Sequence, residues 1–316
     1  MIKKILVELY CSLKDFLFFK NARENREFQV DVLCADIFRL VHAIEKGLSI
    51  ENPRLGFGLP KMQQILDWIE QLERLGEKDQ LCVKAANDAF VEYFRYHDEK
   101  TFTSDEYISV KQRSEKVLGL VQNSTKCGGT LRVRKKDFDY DFNQIEKFFK
   151  TRHSVRQFTK DKIDLKVLKK SIELAQTAPS ACNRQAVRVY VVEPAKYISD
   201  TKSNLEGIGG FTDDVSYFLL ITGKLSAYGE FEFKQFAISA SIFAAYLSLA
   251  LHAYKIGACV IQRSIRATDQ WKYFCKLNNI PQDEQLVVML GVGNLKDEMM
   301  VPVSKRYDVN EIMRVL

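Results

Sequence analysis

The 316-residue chain predicts an α-helical N-terminal region followed by an α/β or α+β sandwich. Up to about residue 123, apolar residues recur with the roughly 3.6-residue period of amphipathic helices. From about residue 131, short apolar runs typical of buried strands alternate with helical patterns. We therefore expect a helical extension over residues 1–130 and a second domain over residues 131–316, which is long enough to bury a core of its own.

The extension contains four segments with helical periodicity after its first 20 or so residues. Pro53, Gly56 and Gly58 mark a loop between the first two, and the glycines of Ser124–Thr130 are typical of a linker. The predicted helices are Phe28–Lys46, Leu59–Leu75, Leu81–Tyr96 and Asp105–Gln122.

The second domain alternates between the two kinds of pattern. Its predicted strands are Arg188–Val192, Tyr217–Thr222, Ala258–Ile261 and Leu286–Leu290. Its predicted helices are Phe142–Lys150, Leu165–Gln176, Lys234–Tyr254 and Gln270–Leu277.

Two apolar segments raise the question of a membrane. Met1–Lys20 has its apolar residues on one helical face, which either packs on the protein itself or lies on a membrane surface. Charged residues interrupt it, so it lacks the core of a signal peptide. Ala237–Ala253 is uncharged apart from His252, but it is short for a bilayer span and contains three serines. We interpret it as a buried helix of a soluble protein or dimer and expect no integral membrane segment.

Composition excludes several classes of protein. Hydrophobic residues make up 46% and charged residues 28%, which excludes a wholly disordered chain. The seven cysteines are odd in number and none are spaced as CxxC, so a disulfide framework and a zinc site are not expected. The four histidines contain no pair at i,i+4. Free thiols indicate a reducing, cytoplasmic location.

Positive charge is concentrated in one window. Between Leu131 and Lys170 there are 13 Lys and Arg against 6 Asp and Glu, a local balance of +7 in a chain whose net charge is +6. The window therefore predicts an anion-binding site. Interleaved Asp137, Asp139 and Asp141, and the absence of a recognised motif, argue against nucleic acid as the anion.

Three clusters have residue types suited to a flat, phosphorylated ligand. Arg152-His153-Ser154-Val155-Arg156-Gln157-Phe158 offers two guanidinium forks and a hydroxyl for phosphate, although a solvated basic turn is an alternative. Ala178–Gln185 contains Pro, Ser and Asn in a turn whose amides could bind a polar ring, or is simply a helix end. Gly291-Val292-Gly293 follows a predicted strand and precedes Pro302–Arg306.

In this order, the three clusters resemble the motifs of the flavin-dependent nitroreductase family. The first resembles R-[HR]-S-x-[RK]-x-[FY], and the second resembles P-S-x-x-N-x-Q-P-W, with Ala186 and Val187 in place of the final Pro-Trp. Gly291, Gly293, Pro302 and Arg306 fit the third, while Lys305 is offset by one from the usual lysine. The resemblance spans about residues 130–316. It implies an α+β fold, a nitroreductase-like sandwich whose mostly antiparallel central sheet is flanked by helices.

The resemblance also implies FMN as cofactor. Arg152, Ser154 and Arg306, with Lys305 nearby, would hold the phosphate and ribityl chain, Arg156 would face the N1/O2 edge of the ring, and His153 would bind through its backbone. Pro179, Ser180, Asn183 and Gln185 would contact the ring from the partner subunit of a homodimer formed through the helix Lys234–Tyr254. Gln262 and Arg263 occupy positions near flavin N5, where the family often has Glu-Gly.

By resemblance, hydride would pass from NAD(P)H through the flavin to a nitro, quinone or enone-like small molecule, with no catalytic side chain of the protein. Tyr228, Phe231 and Phe233 are candidates to stack on this acceptor, although aromatic residues at such spacing are also typical of a core. The motif changes leave an alternative, a flavin-fold binding or scaffold protein without turnover. The N-terminal extension resembles those of nitroreductase-like proteins linked to surface-polysaccharide biosynthesis.

Overall fold

The computed structural model describes residues 2–121, 125–201, 210–262 and 269–316. Its N-terminal part contains α1 (Ile2–Glu24), α2 (Gln29–Leu48), α3 (Leu59–Arg74), α4 (Leu81–Glu99) and α5 (Asp105–Leu118). Helices α2 to α5 pack on one another around a core that includes Ile37, Ile65 and Phe90, each fully buried. The periodic segments thus form helices as predicted, except that α5 ends at Leu118 because Gly119 takes a left-handed conformation.

Helix α1 has a buried end and an exposed end. Phe19 and Ala22 are buried in a cluster that also contains Ala35 of α2 and, from the part of the chain after residue 131, Ala186, Leu225 and Phe236. Nearer the N-terminus, Leu6, Leu9 and Leu13 are 57–61% exposed. Among the side chains of this segment that the structure describes, the apolar face therefore packs on the protein over the last turns of the helix.

The link between the two parts is held by carboxylates of the helical region. Asp88 accepts from the backbone N–H of Cys127 at 2.6 Å, and Glu45 accepts from the N–H of Gly129 at 3.1 Å. Glu92 accepts from the N–H of Thr130 and pairs with Lys126. Residues 125–130 therefore follow a fixed path across α2 and α4. Gln122, Asn123 and Ser124, at the end of the predicted helix and the start of the predicted linker, lie outside the described residues.

The part of the chain after residue 131 is built on a four-stranded antiparallel sheet. Its strands are β1 (Val187–Val192), β2 (Tyr217–Lys224), β3 (Ile256–Ile261) and β4 (Glu284–Asn294), in the order β1-β2-β4-β3. Leu219 pairs with Leu290, and Cys259 pairs with Gly291. The expected α+β class with a central antiparallel sheet is confirmed.

Helices cover both faces of this sheet. α7 (Leu165–Ala175) and α9 (Gln235–Ala253) pack on one face, where Leu219, Ile221 and Leu290 are buried. α8 (Pro194–Thr201) and α10 (Asp269–Leu277) pack on the other, where Phe218 and Met289 are buried. α6 (Phe142–Thr151) and α11 (Val309–Ile312) complete the helices. Two short helices, α8 and α11, have no counterpart among the predicted segments.

Helix α9 is long and apolar enough to cross a membrane, with a mean hydropathy of 1.7 over its best window. Half of that window is buried inside the protein. Ala240, Ala244 and Leu247 pack on the sheet, which is the position of a core helix.

Candidate functional site

The first motif runs beside the edge of the sheet that β3 forms. The N–H of Val155 donates to the carbonyl of Ala258 at 3.0 Å, and the N–H of Thr159 donates to the carbonyl of Asn294 at 3.0 Å. Val155 and Phe158 point into the core and are buried. Side chains alternate between the two sides of an extended chain. Arg152 and Ser154, which are half-buried, therefore lie on the side opposite to Val155.

Arg152 and Ser154 line a cavity of about 610 Å³ beside α9. Gln262, just after β3, lines it too. The other residues that line the cavity have small or aliphatic side chains. They leave a slot between helix and sheet that suits a flat molecule. They are formed by Ser241, Ala244, Ala245, Ser248 and Leu249 of α9, Val260 of β3, and Val287 and Val288 of β4.

The Arg152 guanidinium is available to a ligand. Within the parts of the chain that the structure describes, Arg152 has no hydrogen-bond or ion-pair partner, although it is half-buried. Two acidic residues of the same basic window accept hydrogen bonds from helix N-termini instead of pairing with Arg152. Asp141 caps α6 and Asp164 caps α7. Lys166, Lys169 and Lys170 lie exposed on α7. The charge excess of the window therefore leaves one half-buried cation facing a cavity.

The second motif is a turn with unusual backbone angles. Cys182, Asn183 and Gln185 have φ of 52°, 52° and 51°, the left-handed region that costs a non-glycine residue about 1–2 kcal/mol. The turn is closed by hydrogen bonds from the N–H groups of Asn183 and Gln185 to the backbone carbonyl and hydroxyl of Ser180. Strained backbone of this kind is typical of a ligand-contacting segment.

The turn opens onto a different cavity from the first motif. Pro179, Ser180 and Gln185 line a space of about 370 Å³ together with Ser239 and Phe243 of α9. Successive residues of a helix are turned by about 100°, so this pair lies on the flank of α9 opposite to Ser241, Ala244, Ala245 and Ser248. One chain therefore holds the first and second motifs on opposite sides of one helix.

The remaining predicted cofactor contacts are dispersed over the surface. His153 and Arg156 are exposed, and Asn183 is exposed at the tip of its turn. Arg156 is close enough to Cys259 to offset in part the increase that burial causes in the pKa of that thiol. Lys305 and Arg306 are exposed in the C-terminal segment, and Arg306 donates to the carbonyl of Ser304. Arg263 lies outside the described residues.

The three predicted substrate-stacking residues have different environments. Tyr228 is fully buried, Phe233 is half-buried against Phe16 and Phe19 of α1, and Phe231 is fully exposed. The difference in exposure between Phe231 and the other two aromatic residues shows that the segment before α9 presents Phe231 to the solvent.

An ion pair not anticipated from the sequence joins this segment to the second motif. Arg184 Nη1 donates to Glu232 Oε2 at 2.8 Å and to the carbonyl of Ala227 at 2.9 Å, and Nη2 also donates to Glu232. The hydrogen bonds from Arg184 hold the pKa of Glu232 below its ordinary value. Arg184 lies within the second motif, but nothing in the sequence indicated a partner 48 residues away.

Comparison with known proteins agrees with these motifs. Residues 149–208 match the model of the nitroreductase family. This segment has the nitroreductase pattern. It contains the first two motifs, so the resemblance drawn from Arg152–Phe158 and Pro179–Gln185 is confirmed. Among curated protein sequences, none matches the chain.

Solved structures that are similar to this chain align with just over half of it. A nitroreductase family protein from Streptococcus pneumoniae is 22% identical, with 54% of this chain and 100% of that one aligned and a TM-score of 0.44. An FMN-dependent nitroreductase from Clostridium difficile is 22% identical over 52% of this chain and 92% of its own, with a TM-score of 0.42. A nitroreductase-like protein from Streptococcus mutans is 20% identical over 56% and 100%, with a TM-score of 0.45.

The described parts of the chain contain no set of ligands for a metal ion. No group of three His, Cys, Asp or Glu side chains there converges in a way that could hold an ion.

Proposed function

We propose that the protein is an FMN-dependent oxidoreductase that takes hydride from NAD(P)H and passes it to a small-molecule acceptor. The observation that carries the proposal is the half-buried Arg152, which is unpaired among the described residues and lies with Ser154 at a slot beside the sheet, within a segment of nitroreductase pattern. Bound FMN would supply the hydride chemistry, so the protein needs only to bind and orient its ligands.

The residues present fit this cofactor. The slot of about 610 Å³ lies in the range of cofactor sites, and its aliphatic walls suit an isoalloxazine ring. Arg152 and Ser154 would bind the phosphate through charge-assisted hydrogen bonds. Arg156 would place positive charge near the N1/O2 edge, Gln262 would approach N5, and Lys305 and Arg306 would reach the phosphate from the C-terminal segment.

A homodimer would complete the site. Ile238 and Tyr246, which are 49% and 41% exposed, lie on the outer surface of α9 between the two cavities. If two copies pair through this surface, the turn with Pro179, Ser180 and Asn183 of one copy can cover the slot of the other. This arrangement explains why the two motifs of one chain occupy separate cavities.

No side chain is proposed as a general acid or base. The residues that line the slot bind, orient and exclude water, and the nicotinamide and the acceptor would stack on the cofactor in turn. The reaction would take place in the cytoplasm, as the free cysteines suggest.

The first test is retention of flavin. The purified chain is incubated with FMN, passed through a desalting column and examined by absorbance. Retained flavin at one equivalent per chain supports the proposal, and its complete loss contradicts it.

A flavin-binding or scaffold protein without turnover is the second candidate. The observations that favour it are the exposed Gln262 side chain at the slot, where the family often has Glu-Gly in this stretch, and Ala186 in place of the usual Pro. Rapid anaerobic reduction of retained flavin by NADH or NADPH would exclude this candidate.

A further inference from the structure

The first turns of α1 carry large apolar side chains that are open to solvent. Contiguous apolar surface is rare on a soluble monomer and marks an interaction site. The side chains are 43–65% exposed and belong to Ile5, Leu6, Leu9, Tyr10, Leu13, Phe16 and Leu17, which we call the exposed face of α1. We propose that the exposed face lies on the surface of a membrane that contains anionic lipids.

The residues of the exposed face lie on one side of the helix. Successive residues of an α-helix are turned by about 100°, which places all of them within an arc of about 140°. Between Ile5 and Leu17 the arc extends for about 18 Å, at roughly 1.5 Å per residue. A wide apolar arc on an exposed helical segment is the pattern of helices that lie in the plane of a membrane interface.

The charged residues of this segment are arranged for an anionic surface. Residues 1–20 contain four lysines against two acids. By the same rotation, the position of Lys20 falls within the arc, and that of Lys14 falls about 40° beyond one edge. The position of Asp15 falls about 80° beyond the other edge. A lysine near the lipid can lay its aliphatic stem on the apolar phase and extend its ammonium group to a lipid phosphate.

A two-stranded coiled coil between copies of the chain matches the exposed face less well. In a coiled coil, a narrow apolar seam at positions a and d is flanked by charged residues at e and g. If Leu6 and Leu9 belong to such a seam, the flanking positions hold Ile5, Tyr10 and Leu17 and no charged residue. The exposed face is therefore wider than one partner helix covers, and it lacks the charges that would select one.

The other end of α1 is fixed to the rest of the protein. Phe19 and Ala22 are buried, and Arg23 donates to Asp36 at 2.6 Å and to the carbonyl of Ser226 at 3.3 Å. A membrane-bound α1 would therefore hold the whole chain at the lipid surface. Among the described residues, α9 alone is long and apolar enough to cross a bilayer, so the attachment through α1 is peripheral.

The inference goes beyond the proposed function and does not depend on it. The exposed face contains no residue that is proposed to bind FMN or to form the homodimer. Membrane attachment would place the chain beside substrates or partners at the lipid surface, whatever reaction it catalyses.

The test is flotation of the full-length protein with lipid vesicles. One set of vesicles is equimolar phosphatidylcholine and phosphatidylglycerol, and the other is phosphatidylcholine alone. At low salt, we expect binding to the anionic vesicles to be at least fivefold tighter, and this difference should shrink at high salt because salt screens the lysines. Equal binding to both sets, or no binding to the anionic vesicles, would overturn the proposal.

A charge placed on the exposed face locates the binding. The double variant Leu9→Glu, Leu13→Glu should weaken vesicle binding at least tenfold and leave the thermal melt unchanged, because these positions are 61% and 57% exposed. The matched control is Leu165→Glu, Leu277→Glu, which adds the same charge at positions of α7 and α10 that are 56% and 50% exposed. It should bind like the parent chain. Equal losses in the two double variants would overturn the proposal.

Further measurements separate a lipid surface from a protein partner. The double variant Leu9→Met, Leu13→Met keeps the exposed face apolar but changes its shape, so vesicle binding should stay within twofold of the parent chain. Its loss would contradict a lipid surface. In the absence of vesicles, the double glutamate variant should have the same mass by light scattering as the parent chain. A lower mass would identify the exposed face as an interface between copies and overturn the proposal.

Flavin retention by the same preparations separates this inference from the proposed function. Retention and reduction of FMN by a chain that binds no vesicles leaves the oxidoreductase and removes the membrane surface. Vesicle binding by a chain that retains no FMN leaves the membrane surface and removes the oxidoreductase.

Discussion

The ring of Phe158 lies directly on the backbone of Gly293. A Cβ at position 293 would fall 2.5 Å from Phe158 Cγ, closer than any side chain tolerates. A Cβ added at Gly257 of β3 would lie 2.9 Å from Cε1 of the same ring. The last residue of the first motif is therefore seated between two glycines, one of which belongs to the third motif. This contact fixes the segment that carries Arg152 and Ser154 against the sheet.

We predict that Gly293→Ala lowers the free energy of unfolding by about 1–3 kcal/mol, the usual cost of overpacking a core. Gly291→Ala is the matched control, because its Cβ would meet no atom closer than 3.5 Å. Urea unfolding of both variants measures the difference. Equal stability of the two would show that Phe158 adjusts without cost.

Arg152 is predicted to recognise the phosphate. Arg152→Ala should weaken FMN binding by roughly 10- to 100-fold, as expected for a charge-assisted hydrogen bond of about 1.5–3 kcal/mol. Binding of riboflavin, which lacks the phosphate, should change little. Flavin fluorescence titrations measure both, and Lys166→Ala is the control within the same basic window. A parallel loss of riboflavin binding would assign Arg152 a structural role instead.

The α9 surface is predicted to form the dimer. Tyr246→Glu places a charge on this surface and should convert the protein to a monomer, because a buried unpaired carboxylate is costly. Since the second motif would act across the interface, flavin retention should fall with it. Light scattering after size exclusion measures the mass. Tyr273→Glu, at a 53% exposed position of α10, should change neither property.

A buried acid should make stability depend on pH. Burial raises the pKa of Asp283, whose side chain is fully buried and hydrogen-bonded to Ser226. An acid with a raised folded-state pKa binds more protons folded than unfolded, so its ionisation costs stability as pH rises from about 3.9 through the folded value. Asp283→Asn should therefore gain stability relative to the parent chain as pH rises.

Glu232 provides the comparison of opposite sign. Its pKa is lowered by Arg184, so its contribution is present above the unfolded-state value and is lost as pH falls through the folded value. Glu232→Gln should lose stability relative to the parent chain at neutral pH, and this deficit should shrink in acid. Denaturant midpoints measured between about pH 2.5 and pH 8 would contradict the account if both variants followed the same trend.

Local periodicity was enough to predict most of the fold. Helices such as α3 and α9 and all four strands fall within a few residues of their predicted bounds, because their apolar residues repeat with a clear period. α8 and α11 were missed since helices of 8 and 4 residues have too few turns to show one. The glycines predicted a linker but not its partners, because the hydrogen bonds from its backbone go to Asp88, Glu92 and Glu45 of distant helices.

The candidate site was predictable only in part, because it combines local motifs with distant contacts. Arg152 and Ser154 were found from their spacing. The serines Ser241 and Ser248 of α9 served only as an argument against a membrane span and were not predicted to line the slot. The pairing of Arg184 with Glu232, and the approach of α1 to Phe231, depend on tertiary packing that no local pattern encodes.

The most direct test is the absorbance spectrum of the chain after incubation with FMN and removal of free flavin, recorded before and after anaerobic addition of NADH or NADPH. The account predicts a protein-bound flavin spectrum that bleaches with at least one of the two nicotinamides. A colourless protein, or a bound flavin that neither nicotinamide reduces, would contradict the proposed oxidoreductase.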